Sequence, residues 1–126
     1  MDLRIFIKLK YKEKISLLEK TDDRELINFA VNSSIEFLKN AVSKNPNLTE
    51  EDLMKLSDDA SAIVRVNVFL NPNATDKIVK ILSKDEELQV RLTIAINKKT
   101  PLWILEEMLK NEKDERLKEI IRKRLR

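Results

Sequence analysis

The chain has 126 residues, 37% of them charged, with 25 basic and 22 acidic side chains and a net charge of +3. It contains no Gly, Cys or His, which excludes zinc fingers, haem and iron–sulfur ligation, disulfides and Ser-His-Asp or Cys-His catalysis. P-loops, dinucleotide fingerprints and nucleophile elbows fall with the missing Gly, leaving carboxylate, lysine, tyrosine or hydroxyl chemistry, or binding without chemistry, in a length that suits one domain.

The first 19 residues form an N-terminal capping segment that reads two ways. Leu3, Ile5, Ile7, Leu9 and Tyr11 alternate with mostly basic residues, the pattern of a strand. Leu3, Ile7, Tyr11, Ile15 and Leu18 also make a helical stripe, which a helical neighbourhood favours. A strand here would pair most simply with a second copy of the chain, giving a homo-oligomer through this segment. Lys8, Lys10 and Lys12 break the apolar stretch, so it is no signal peptide. No apolar run approaches the roughly 18 residues of a membrane span. The expected compartment is the cytoplasm.

Beyond residue 19 the chain repeats itself every 26 residues. Asn45-Pro46-Asn47 returns as Asn71-Pro72-Asn73, and Asn97 stands one period further on. Val64-Arg65 returns as Val90-Arg91. Apolar ladders keep the same step: Ile27, Leu53, Val79, Leu105; Ala30, Leu56, Leu82, Met108; Val42, Val68, Ile94, Ile120; and Leu38, Val64, Val90, which breaks at Arg116. The units are 20–45, 46–71, 72–97 and 98–123, each holding two short helices.

In the second unit Thr49 caps a helix opening on Glu50-Glu51-Asp52, acids that suit the positive end of the helix dipole. Ser61 caps the next helix, apolar nearly all round and therefore buried between neighbours. Asn71-Pro72 ends it. In the third unit Thr75 caps a helix through Leu82, followed by one from about Glu87 to Ile96. In the fourth, Thr100-Pro101 reads as a cap followed by Pro at the first helical position. With Gly absent, Asn is expected at left-handed turn positions. Helices this short are marginal alone and need stacked partners. The expected fold is all-α, a right-handed α-solenoid of about four two-helix repeats in a single domain, residues 1–126.

The Asn-Pro turns, Thr49, Leu53, Leu56, Asp59 and Val64-Arg65, with their copies one period on, resemble the leucine-rich repeat variant family, itself similar to HEAT repeats. The resemblance implies a right-handed stack of helix pairs, one helix of each pair short or 3₁₀-like, serving as a scaffold without a common reaction. The repeat here is longer than usual for that family. Its cysteine-bound cluster domain has no counterpart in a chain without Cys.

Candidate residues follow from the register. Asp59 with Arg65, and Asp85 with Arg91, form an Asp/Arg ladder in which each carboxylate accepts backbone N–H bonds and pairs with an Arg of its own or the next unit. Asn45, Asn71 and Asn97 form a structural ladder at the turns. Asn67 and Thr93 are polar at equivalent positions of apolar helices, either bonded to each other's neighbours or open to a partner. Trp103, the only Trp, stands where Lys77 and Glu51 stand in earlier units, so it is either an interface anchor or folded over the last unit.

Charge gathers at the ends: residues 1–20 carry six basic against three acidic side chains, and residues 110–126 eight against four. Arg122, Lys123, Arg124 and Arg126 suit a helix C-terminus or a nucleic-acid contact. The acidic clusters match no calcium loop, and no metal or cofactor is expected. The leading function is a non-enzymatic scaffold for a protein or peptide partner. The alternative is a HEAT-like nucleic-acid binder using the basic ends.

Overall fold

The computed structural model describes all residues 1–126, in ten α-helices and no strand. These are α1 (Leu3–Ile7), α2 (Tyr11–Leu18), α3 (Arg24–Val31), α4 (Glu36–Val42), α5 (Glu50–Leu56), α6 (Ala62–Leu70), α7 (Asp76–Leu82), α8 (Leu88–Ile96), α9 (Leu102–Asn111) and α10 (Glu115–Leu125). They divide into two compact units, Met1–Ala74 and Thr75–Arg126.

In the first unit the N-terminal segment is helical. Asp2 caps α1 by accepting from Arg4 N, and Glu13 reaches back to Lys10 N at the start of α2. Phe6 is the buried residue of α1. Its ring meets Phe29 of α3 edge-on at 6.0 Å, and the Lys14 amine lies 5.9 Å from its centroid. The strand reading is overturned, and with it the pairing of strands between two copies. A lone strand leaves its N–H and C=O groups unmet, whereas a helix satisfies them internally. The strand-face residues Ile5, Ile7 and Tyr11 are consequently more than half exposed.

Later helices start where side-chain oxygens accept amide protons: Asp23 for α3, Thr49 for α5 and Ser61 for α6. At α5 the box is reciprocal, because Asp52 also accepts from Thr49 N at 2.9 Å. Helix α4 packs on α2, α3 and α6, and α5 packs on α3 and α6. The rings of Tyr11 and Phe37, 26 residues apart, meet at 4.8 Å with a tilt of 53°. Ile27 with Leu53, Ala30 with Leu56, and Val42 with Val68 are all buried.

In the second unit Thr75 caps α7, α7 packs on α8, and α10 packs on both α8 and α9. The seven-residue α7 and nine-residue α8 match the lengths of α5 and α6. Helix α9 is longer, at 10 residues, and absorbs one extra residue. The ladders therefore step by 27 at the end: Leu117 and Ile121 are buried, while Arg116 is exposed and Ile120 only half-buried. The expected break at Arg116 is thus a shift of register. All ten helices are α-helices, and α5 and α7 are short, at seven residues each.

Two turn expectations are corrected. No residue has positive φ, so Asn does not serve as a left-handed substitute for Gly. Asn71 is extended at φ −65°, ψ 134°, as the following Pro requires. Its purpose is its carboxamide. Asn45 Nδ2 donates to Leu18 O and Thr21 O at 2.7 and 2.8 Å. Asn71 Nδ2 donates to Ser43 O and Asn45 O, both at 3.0 Å. Each Oδ1 accepts from the N–H two residues on, at Asn47 and Asn73. Thr100 is likewise no cap. Its hydroxyl is buried and donates to Ile94 O at 2.7 Å, and Pro101 takes the cap position.

Replacing Asn71 by Ala removes two buried hydrogen bonds and strands two carbonyls. The expected loss is about 2–3 kcal/mol in urea unfolding. Asn71→Asp should lose at least as much, since a carboxylate cannot donate. A loss below about 0.5 kcal/mol in both variants would show that the carboxamide does not hold the turn.

Candidate functional site

The predicted acid–cation ladder exists, with a different division of labour. Asp59 Oδ2 accepts from Ser61 N at 3.0 Å, and Oδ1 pairs at 2.5 Å with Lys39, which stands one period before Arg65. Asp85 Oδ1 accepts from Glu87 N and Glu112 Oε2 from Asp114 N, the same local geometry. Arg65 Nη1 donates to the carbonyls of Asp59 and Ala60, and Arg91 Nη1 to those of Asp85 and Glu86. Arg91 then forks onto Glu112 through Nε at 2.9 Å and Nη2 at 3.1 Å. Its partner is thus the acid of the following helix turn, the bidentate geometry that an Arg provides and a Lys does not.

Burial pushes the Glu112 carboxyl up, but the Arg91 guanidinium and the Asp114 amide outweigh it and hold the carboxyl below its ordinary value. The same fork raises Arg91. Asp52 is also lowered: burial opposes, while bonds from Thr49 and from Arg24 at 2.7 Å prevail. Glu50-Glu51-Asp52 is therefore a helix start. No group of three or more Asp or Glu side chains is arranged to hold a metal.

Between the α7–α8 turn and the α9–α10 turn lies a cleft of about 510 Å³ lined by Ser83, Lys84, Asp85, Arg91, Met108 and Glu112, among others. The Arg91–Glu112 fork lies in it, and Lys84 approaches Glu107 at 3.5 Å beside it. Lys84 with Glu107 and Arg91 with Glu112 are paired here, and the lining carries charges of both signs.

The polar residues inside apolar helices also find local partners. Asn67 Nδ2 donates to Asn40 Oδ1 at 2.8 Å, and the Thr93 hydroxyl donates to Gln89 O one turn back. Of the C-terminal cations, Arg122 and Arg126 lie 3.8 and 3.6 Å from Glu119. Arg124 Nη1 donates to Ala95 O and Asn97 O at 2.7 and 2.9 Å, doing for the last turn what Asn45 and Asn71 do for theirs. Lys123 alone of the four is exposed without such a bond. Sequence reasoning missed Lys39, Glu112 and the role of Arg124. The lengthened final step was the signal, since Glu112 is 27 residues after Asp85 and Arg124 is 27 after Asn97.

Trp103 opens α9 and is 46% exposed, and Leu102 beside it is 57% exposed. The matching positions are Asp76-Lys77 on α7 and Glu50-Glu51 on α5, all exposed. No helix is long and apolar enough to cross a membrane. No family model, curated protein or solved structure matches the chain.

Arg124→Ala should lower stability by about 1–2 kcal/mol, while Lys123→Ala should change it by less than about 0.5 kcal/mol. Equal effects in chemical unfolding would remove Arg124 from its structural role. Glu112 has a folded pKa below the ordinary 4.5, so its contribution is complete above that pH and fades as pH falls through the folded value. Unfolding free energies measured from neutrality down to acid should therefore decline less for Glu112→Gln than for the parent. Parallel acid limbs would contradict the assignment.

Proposed function

We propose that the chain is a non-enzymatic binding scaffold, a right-handed α-solenoid of two-helix repeats akin to the leucine-rich repeat variant and HEAT-like families, which recognises a protein or peptide partner along one face. The repeat reading draws on the 26-residue ladders and on carboxamides that tie each Asn turn to the one before it. A cytoplasmic setting belongs to the same proposal.

One observation carries the binding role. Leu102 and Trp103 place about half of two large apolar side chains in water, at positions that the preceding helices fill with charge. The equivalent positions of α5 and α7 carry Glu51 and Lys77 instead, whereas interfaces concentrate their energy in such anchors. The conspicuous charged residues, by contrast, are engaged in holding turns and helix ends together. The nucleic-acid alternative draws on a C-terminus whose arginines are already bonded to Glu119 and to backbone carbonyls.

Immobilised protein should retain a partner from extracts of its own cells. Trp103→Ala should weaken that retention by about tenfold or more, with the helical circular dichroism unchanged. Retention that ignores Trp103 would remove the anchor. Retention of nucleic acid with a steep salt dependence, and of no protein, would replace the proposal with its alternative.

A further inference from the structure

The turn joining α8 to α9 departs from the repeat at several positions together. Its predecessor runs Leu70-Asn71-Pro72-Asn73-Ala74-Thr75-Asp76-Lys77, and it runs Ile96-Asn97-Lys98-Lys99-Thr100-Pro101-Leu102-Trp103. Lys98 and Lys99 replace the rigid Pro and the second Asn. In the earlier turns that Asn bonds back onto carbonyls: Asn47 to Lys20 O and Thr21 O, and Asn73 to Pro46 O and Leu48 O. The lysine amines make no such bond and meet no carboxylate. Both lysines are exposed, as are Ile96 at 58%, Leu102 and Trp103. Charge thus stands where the turn wants self-bonding groups, and Leu102 and Trp103 stand where water wants charge, while Ile96 keeps the exposed aliphatic side chain that Leu70 has one period before. Departures of this kind from a local rule mark function rather than folding.

The backbone beneath these side chains is nonetheless firmly held. Thr100 N donates to Asn97 O at 3.1 Å, and its hydroxyl reaches Ile94 O. Lys99 N donates to Asn97 Oδ1 at 2.9 Å, and Arg124 clamps the carbonyls of Ala95 and Asn97. Apolar groups on a fixed base lose little freedom when covered, which is the condition for a strong anchor.

Resting on the scaffold reading above, we infer that this turn docks an acidic protein segment. Its carboxylates meet Lys98 and Lys99, and one of its apolar or aromatic side chains lies against Ile96, Leu102 and Trp103. The sign follows from the charges, since residues 96–103 hold two lysines and no acid. Two exposed aliphatic side chains on the same turn as the exposed indole suit an apolar side chain better than a phosphate, and single-stranded nucleic acid uses successive rings along a basic track. An anionic lipid surface draws on larger basic clusters, of roughly four to eight.

Trp103, being the only Trp, makes its own fluorescence the readout. A displayed library of random short peptides is panned on the full chain, and the enriched peptides are synthesised. They should carry Asp or Glu next to an aromatic or aliphatic residue and shift Trp103 emission to the blue. They should bind a Lys98→Glu, Lys99→Glu variant at least about tenfold more weakly, with Leu102→Ala as a second, charge-preserving test. Basic or uncharged enriched peptides, or binding indifferent to both variants, would overturn the inference while leaving the scaffold proposal standing. So would tighter emission shifts with a single-stranded oligonucleotide or with phosphatidylserine vesicles. A library yielding no binder, together with no retained cellular protein, would defeat both.

Discussion

Each helix pair ends by exposing carbonyl oxygens that no helix can satisfy, at places too buried for water to do so. The structure depends on how these are met. The Asn carboxamide is suited to the task because it has two donors and an acceptor in one plane. At Asn45 and Asn71 the Nδ2 group bridges two carbonyls of the preceding turn, and Oδ1 takes the amide two residues ahead. Asp lacks the donors for this, and Gln would place them one methylene too far. A single side-chain type therefore fixes the local turn and joins it to its neighbour. The chain needs neither Gly nor a left-handed residue.

The high charge content is accounted for in similar terms. Lys39 with Asp59, Arg24 with Asp52 and Arg91 with Glu112 each join a helix to a turn or helix start 20 to 28 residues further on. In each pair the carboxylate is buried, with side-chain exposures of 10%, 8% and 3%, and it also accepts at least one backbone N–H. That is the arrangement in which a desolvated ion is tolerable. No buried side-chain polar atom is left without a partner. Several large apolar side chains also stay in water, among them Ile7, Tyr11, Ile63, Ile96, Leu102 and Trp103; Leu102 and Trp103 differ in taking positions that are charged on α5 and α7.

Much of the helical architecture was legible in the sequence, because caps and apolar spacing act locally. Thr49, Ser61 and Thr75 cap the expected helices, and the predicted ladders through Leu53, Leu56, Val79 and Leu82 are buried. The failures have separate physical causes. A constant period hid the extra residue in α9, so Ile120 was placed where Ile121 packs and Glu112 was overlooked. Thr100-Pro101 has the composition of a cap, yet a carbonyl six residues back competes for the hydroxyl. The N-terminal segment is helical, as its stripe favours, with Phe6 against Phe29, and its strand-like alternation leaves Ile5, Ile7 and Tyr11 exposed. Trp103 could be singled out from its register, but its exposure depends on packing that register alone does not give.

The bonds that hold the turns are short-range along the chain. Arg124 and Ala95, the most widely separated partners described, are 29 residues apart, and the Asn bridges span 24 to 28. Loop closure on that scale is entropically mild, and chains wired through near neighbours fold quickly. Local openings cost less than the global one in such a chain. Releasing Arg124 frees the carbonyls of Ala95 and Asn97 while Asn45 and Asn71 keep theirs, so an opening at the C-terminal end spares the bonds of the two earlier turns.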